Sequence, residues 1–322
     1  MRAGGVKISK MNPTSLKKAR VLVVGDAMLD RYWIGEVERI SPEAPVPIVK
    51  VGREEERAGG AANVARNAAA LGARVTLLSV VGADEPGARL EALLKRERVQ
   101  PRLHHDRGLK TTVKLRVIAG RKQQLLRVDF ETPPNHEVLA SKLRDFEQLL
   151  GDTDAVILSD YGKGGLSHIV KMIEMARRAG KMVLVDPKGE DYSRYRGATL
   201  ITPNQSEFRQ VAGAWKNERE LTDRAQQLRR KLNAKALLVT RGAQGMTLFE
   251  DGKRMHVPTV AREVSDVSGA GDTVIATLAV TLAGGARMKD AVHLANRAAG
   301  IVVGKFGTAV VTPKELFGEK TG

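Results

Sequence analysis

Short, almost purely apolar runs recur along this chain, each followed by a stretch with helical spacing. Runs at 21–25, 75–81, 155–159, 182–186, 199–202 and 236–240 are rich in Val, Leu and Ile. Strands with no polar side must be covered on both faces. Apolar residues then recur every three or four positions over 61–71, 88–98, 137–150, 167–179, 220–232, 272–283 and 288–303, the period of an amphipathic helix. This alternation predicts an α/β fold built on a doubly wound, mostly parallel sheet. At 322 residues the chain is long enough for one large α/β domain, and no repeat or linker divides it.

The rhythm breaks twice. Residues 45–51 (PVPIVKV) and 111–129 read as strands with no helix between them. In the second, Val113, Leu115 and Val117 alternate with Lys114 and Arg116, and Gly120 marks a hairpin turn. We read these as a small antiparallel β flap, or lid, from segments near 31–51 and 111–130. The plainer alternative is an edge extension of the main sheet.

Composition removes several classes. No apolar run approaches the length of a membrane span. The first twenty residues hold six Lys or Arg and no acid, without a signal-peptide core, so residues 1–18 are expected to be a loose basic tail, and Met11 is a second candidate start. The absence of cysteine rules out disulfides, thiolate catalysis and Cys-type zinc sites and agrees with a cytoplasmic location. A net charge of +16 invites nucleic acid. Aromatics at 4% and the lack of a recognisable nucleic-acid motif argue instead for phosphorylated small molecules.

Four constellations carry chemistry. In DVSGAGDTVIATL (266–278), Gly269, Ala270 and Gly271 precede an apolar helix, an arrangement that offers backbone amides and the helix dipole to an anion. Asp272 beside such a site would repel the anion unless its role is to take a proton from the acceptor. In AGGAANVARNAAALG (58–72), Gly59 and Gly60 permit close approach, and Asn63 and Asn67 lie one turn apart; a tightly packed helix with solvated Asn residues is the alternative. In VLVVGDAMLDRYW, Asp26 and Asp30 follow a strand at one-turn spacing, placed either for sugar hydroxyls or for helix capping. In TPNQSE, Asn204 and Glu207 fit either a hydrated Mg²⁺ or a capping box. Thr240, Gly242 and Gly245 make a tight link between strands, a nucleotide wall or a plain hairpin. His104 and His105 read as exposed rather than metal-binding. No P-loop, GxSxG, HExxH or GxGxxG motif is present.

Together these residues resemble the PfkB/ribokinase family of carbohydrate kinases over nearly the whole chain. The family's Gly-Gly signature matches Gly59 and Gly60 through Gly82, and its D-x-x-G-A-G-D signature matches Asp266 to Asp272. The resemblance implies a single ribokinase-like domain and ATP-dependent transfer to a sugar hydroxyl. Asp272 would be the base, with Gly269, Ala270 and Gly271 as the anion hole. It further implies Mg²⁺ oriented through water by Asn204 and Glu207, a nucleotide site at Thr240, Gly242 and Gly245, and a monovalent cation such as K⁺ near the anion hole.

The stretches GDAMLDRYWIGEVERISPEAPVPIVKV, LSDYGKGGL and DPKG resemble one subgroup. Its members phosphorylate the anomeric hydroxyl of D-glycero-β-D-manno-heptose 7-phosphate in lipopolysaccharide inner-core synthesis. That resemblance implies Asp30, Gly59, Gly60 and Asn63 at the sugar. Lys114, Arg116 and Arg127 on the flap are candidates for the sugar's own phosphate, the alternative being a solvated flap face. Lys163 and Lys188 come near the phosphates by analogy. Many members of the subgroup carry a fused adenylyltransferase with an H-x-G-H motif. That motif is absent here, so a stand-alone kinase is expected, dimeric through its lid, with no nucleic-acid or membrane partner. The rival readings are another sugar or nucleoside kinase of the family, and a non-catalytic nucleic-acid or regulatory binder.

Overall fold

The computed structural model describes residues 13–120, 123–134, 136–261, 264–305 and 307–318. In chain order the elements begin α1 (Pro13–Leu16), β1 (Arg20–Gly25), β2 (Ala27–Ile40), β3 (Pro47–Gly60), α2 (Ala61–Ala70), β4 (Arg74–Gly82) and α3 (Glu85–Arg96). Next come β5 (Val99–Asp106), β6 (Val113–Ala119), β7 (Gln123–Phe130), α4 (His136–Leu149), β8 (Ala155–Ser159), α5 (Ile169–Arg178) and β9 (Met182–Asp186). The rest are β10 (Leu200–Ile201), α6 (Gln205–Ala212), α7 (Glu218–Lys231), β11 (Ala236–Thr240), β12 (Met246–Glu250), β13 (Lys253–Val257), α8 (Ala270–Ala283), α9 (Met288–Val302) and α10 (Pro313–Phe317).

Among the described residues the strands form a nine-stranded sheet, ordered β13-β12-β11-β10-β9-β8-β1-β4-β5, and a separate four-stranded sheet, β3-β2-β6-β7. The large sheet is parallel from β5 to β11, and β12 and β13 add an antiparallel hairpin at one edge. Successive side chains of a strand point to opposite faces, and β1 shows it. Val21 and Val23 join a core with α2, α8 and α9, while Leu22 and Val24 join a second core with α5 and α7. This is the doubly wound, both-faces-covered sheet that the apolar runs predict.

Helix α8 is apolar on almost every side and buried from Asp272 to Thr281, as a helix at the centre of a layer must be. Its buried hydroxyls turn inward. Thr277 and Thr281 donate to the carbonyls of Thr273 and Thr277 at 2.7 and 2.6 Å, leaving no orphaned donor on that stripe.

The small sheet is the expected flap. β6 and β7 form an antiparallel hairpin about Gly120, and β2 pairs antiparallel with β3. The two hairpins join through a parallel β2·β6 pair that sets Asp30 opposite Lys114 and Tyr32 opposite Arg116. The sequence reading of the flap was too short, because β3 runs on to Gly60 and β2 fills 27–40. Asp26 and Asp30 are therefore not one helical turn apart. The aromatic pair Tyr32–Trp33 favours extended backbone, and ladders on both sides hold it there. Two more corrections concern edges. His104 lies on strand β5, partly buried and paired with Asp145 at 3.1 Å, rather than exposed. Residues 13–16 form a helix with Leu16 buried and Lys17 and Lys18 follow in an exposed turn, while residues 1–12 of the expected basic tail, with Met11, lie outside the described residues.

The chain leaves β1 toward β4 on one side and returns at β8 on the other, so the crevice between them is the topological switch point where such sheets bind ligands. The backbone is tight there. A Cβ on Gly25 would lie 2.1 Å from the carbonyl oxygen of Ser159 and 2.9 Å from the Ala61 side chain. Gly25→Ala should therefore lower unfolding free energy by about 1–3 kcal/mol, the usual cost of overpacking. Urea denaturation measures it, and a midpoint equal to wild type would show that the crevice can relax.

Candidate active site

Three segments that are far apart in sequence meet beyond the ends of β1 and β8. Gly269 caps α8 in a left-handed conformation (φ 76°), so Ala270, Gly271 and Asp272 form the helix's first turn. First-turn amides have no partner within the helix. Asp266 fixes the approach to this turn, accepting from Ser268 N at 2.8 Å and Gly307 N at 3.1 Å. Asp272 is buried, 7% exposed, and both of its oxygens are held. Asn63 Nδ2 donates to Oδ2 and the Tyr161 hydroxyl donates to Oδ1, each at 2.6 Å. Burial pushes the Asp272 carboxyl up to about 6; Asp30 adds to the rise, while the Tyr161 and Asn63 hydrogen bonds and Lys114 oppose it.

Asn63 and Asn67 are both buried, so the solvated alternative does not hold. Asn67 Nδ2 donates to the Asn63 carbonyl at 2.9 Å, and the Thr273 hydroxyl donates to Asn67 Oδ1 at 2.8 Å, tying α2 to α8. Asp30, also buried, accepts from Arg116 Nη1 at 2.7 Å. Its Oδ2 is packed against Gly59, where a Cβ would come within 2.4 Å. That close approach is why the strand is glycine there.

Asp26 organises the neighbouring loop. It accepts from the amides of Tyr161, Lys163 and Gly165 at 3.1, 3.0 and 2.9 Å. Both of its oxygens are engaged by the loop, and it caps no described helix. Below the loop Lys142 of α4 is fully buried and donates to the Gly165 carbonyl. Burial lowers the Lys142 ammonium to about 8 against the support of Asp26 and Asp160.

The flap closes one side. Lys114 Nζ sits 5.9 Å from the centre of the Tyr161 ring and has no carboxylate within ion-pair distance among the described residues. Burial pulls its ammonium down, with Asp30 and Asp129 acting the other way. Arg57 and Arg116 stack on Tyr32 at 5.0 and 5.2 Å. Arg127 is half-exposed and paired with Asp129 at 2.9 Å. A cavity of about 630 Å³ between the flap and the α8 turn is lined by Tyr32, Arg57, Arg116, Asp266, Ser268 and Gly307. Its size suits a small polar ligand.

On the other side stand the nucleotide candidates. Asn204 and Glu207 form a complete capping box on α6, with Asn204 Oδ1 accepting from Glu207 N and Glu207 Oε2 from Asn204 N. Glu207 Oε1 pairs with Lys188 Nζ at 3.3 Å. Lys163 is drawn instead to Glu131. Thr240 ends β11, and Gly242 to Gln244 form the turn that leads to Gly245 and β12. Asp186 lies between the two groups. Burial, then the charges of Asp272 and Glu207, raise its carboxyl well above the usual range. Such crowded carboxylates and hard oxygen donors fit Mg²⁺. Among the described residues no three His, Cys, Asp or Glu side chains converge on one point.

The structure thus brings Asp30, Gly59, Gly60, Asn63, Lys114, Arg116 and Asp272 into one crevice, with Asn204, Glu207 and Lys188 along its edge. Arg127 is directed to Asp129. Sequence reasoning missed Tyr161, Asp186, Arg57 and Lys142. Tyr161 and Asp186 lay inside quoted strand-end motifs, SDYGKG and DPKG, in which the lysines drew attention.

The profile of the pfkB family carbohydrate kinases matches residues 18–315. A protein of Bordetella bronchiseptica named D-beta-D-heptose 7-phosphate kinase is 58% identical over 95% of this chain and 97% of its own length. The bifunctional protein HldE of Alcanivorax borkumensis is 55% identical over 94% of this chain, which spans 63% of that protein. Among solved structures, phosphofructokinase-2 from Escherichia coli in complex with potassium superposes with a TM-score of 0.78 at 22% identity, covering 93% of this chain and 97% of the other. Ribokinase from Arabidopsis thaliana complexed with ribose and ATP gives 0.74 at 21%, covering 93% and 98%. These two likenesses establish the ribokinase-like fold.

The buried carboxylate has a direct signature. Carbon-13 NMR, taken as the difference between wild type and Asp272→Asn, should show a carboxyl titrating near about 6. A midpoint below about 4.5, within the ordinary aspartate range, would mean that its hydrogen bonds outweigh burial.

Proposed function

The chain belongs to the pfkB family of carbohydrate kinases, and on that premise we propose that it phosphorylates the anomeric hydroxyl of D-glycero-β-D-manno-heptose 7-phosphate at the expense of ATP. One observation carries the chemistry: a buried carboxylate, Asp272, fixed within the first turn of a helix that begins at the Gly269 turn. The relative named for heptose 7-phosphate, 58% identical, supports the choice of sugar. The role in lipopolysaccharide inner-core synthesis and the cytoplasmic location belong to the same reading; no helix among the described residues is long and apolar enough to cross a membrane.

Ionised Asp272 takes the proton of the acceptor hydroxyl as that oxygen attacks the γ-phosphorus. The bond to the β-phosphate oxygen breaks, and ADP leaves with the electron pair. The amides of Gly269 and Gly271, with the α8 dipole behind them, offset the charge on the transferring group, whereas the Ala270 amide donates to the Val267 carbonyl at 3.2 Å. Asp30 Oδ2, beside Gly59 and Gly60, accepts from a sugar hydroxyl, and Asn63 aligns the base. Thr240, Gly242 and Gly245 wall the nucleotide, and Lys188 reaches its phosphates from its pairing with Glu207. Asn204 and Glu207 would hold Mg²⁺ through water, and the ion would offset phosphate charge when bound; a monovalent cation such as K⁺ would complete the set.

Geometry separates the flap cations. Lys114 stands over the ring of Tyr161, whose hydroxyl donates to Asp272, and so suits the reacting end. Arg116, with Arg57, lines the cavity farther out and suits the 7-phosphate, whereas Arg127 is tied to Asp129. Homodimerisation through the flap is favoured by its exposed apolar residues, among them Ile40, Val46, Leu126 and Phe130.

Asp272→Asn should lower kcat by about 10²–10⁴-fold, the usual share of a general base, with ATP affinity preserved. Near-wild-type turnover would remove Asp272 from this role. Arg116→Ala should raise KM for heptose 7-phosphate by about ten- to a hundredfold, as expected for loss of charge-assisted hydrogen bonds, and affect unphosphorylated heptose far less. Equal effects on both sugars would assign Arg116 to holding Asp30. Phosphorus NMR of the product should show two phosphomonoesters, one coupled to the anomeric proton.

A further inference from the structure

Tyr161 has no place in the reaction outlined above, yet it makes one of the two shortest contacts to the reacting carboxylate. We propose that Tyr161 is a positioning residue, whose hydroxyl holds Asp272 in the orientation and charge state that proton abstraction requires. The inference rests on Asp272 being the base.

Three features of the structure support it. The contact is short, 2.6 Å from the Tyr161 hydroxyl to Asp272 Oδ1, and it complements the Asn63 bond to Oδ2. With both oxygens anchored from opposite sides, the carboxylate cannot rotate, and each oxygen retains a lone pair for an incoming hydroxyl. Second, the tyrosine is itself fixed. The loop that presents it is bound at three amides by Asp26 and from below by buried Lys142. Four polar contacts on one short loop exceed what a passive connection needs. Third, Tyr161 joins two layers, because Lys114 of the flap sits over its ring while its hydroxyl reaches α8.

Burial, and then the negative charge of Asp272, raise the Tyr161 phenol well above its usual value, so it stays a donor throughout the working range. A donor to a carboxylate favours the ionised form. The groups that face Asp272 are Asp30 from β2 and Asp186 from β9, which favour its protonation, and Lys114 from β6, which opposes it. Tyr161 and Asn63 are the hydrogen-bond donors that counter burial. The base works when ionised, so activity falls as pH drops through its titration. Removing the phenol hydroxyl must move that limb toward higher pH.

Tyr161→Phe keeps the ring under Lys114 and removes the donor. The acid limb of kcat/KM and the carbon-13 titration of Asp272 should both move up by about one to two pH units, the equivalent of one charge-assisted hydrogen bond. Turnover on the alkaline plateau should fall by less than about tenfold, since the base is still present there. Tyr161→Leu, which also removes the ring, should shift both midpoints in the same direction. If either midpoint stays at its wild-type pH in these variants, the proposal is wrong, whatever happens to turnover. Asp272→Asn keeps the two readings apart. An active Asp272→Asn enzyme overturns the base and this inference with it. An inactive one beside an unmoved titration in Tyr161→Phe overturns the role of Tyr161 alone.

Discussion

The burial of one carboxylate against two helices and a loop organises the centre of this molecule. Asp272 pairs with Asn63 across 209 positions of sequence and with Tyr161 across 111. Desolvating an aspartate is costly unless its oxygens are met by donors. Here the donors come from two segments that also define the crevice. α2 must lie close enough to α8 for an amide to reach, so its contact face is Ala-rich and its two asparagines are buried. The 160–165 loop must present a phenol at one height, so Asp26 at the end of β1 gathers its amides. Fold and chemistry share this constraint.

The main sheet was legible because its strands are apolar on both faces and its helices keep a clean period, so both signals point to one architecture. The flap was less legible. β2 has charged residues on both faces past Gly35, and its burial pattern runs from buried to wholly exposed along one strand. No single alternation describes such an element. The α8 turn stood out because Gly269, Ala270, Gly271 and Asp272 are contiguous. Tyr161 and Asp186 did not, since their significance lies in which distant carboxylate they face. A local motif can show that a loop is special without showing what it touches.

Charge has a similar lesson. The net +16 reads as a surface property, yet much of the basic inventory is internal bookkeeping of pairs. Arg31, Glu56, Glu85 and Arg89 link the flap to α3, and Arg241, Arg254 and Glu218 link the β11–β12 edge to α7. Lys114 differs from them in lacking a carboxylate partner among the described residues, and it stands over the Tyr161 ring.

The flap grows directly out of the catalytic layer. β2 begins one residue after β1 ends, and β3 ends where α2 begins. Its two hairpins nevertheless pair with each other and not with the main sheet. On the proposed function, acceptor recognition falls to the flap strands and phosphoryl chemistry to the α8 turn of one continuous backbone. Mutations along 31–58 and 113–130 can redraw the acceptor pocket while the 266–272 turn stays intact. Descendants of such a scaffold are free to explore new sugars without rebuilding the transfer machinery, so diversity of acceptor should accumulate at the flap and uniformity at α8.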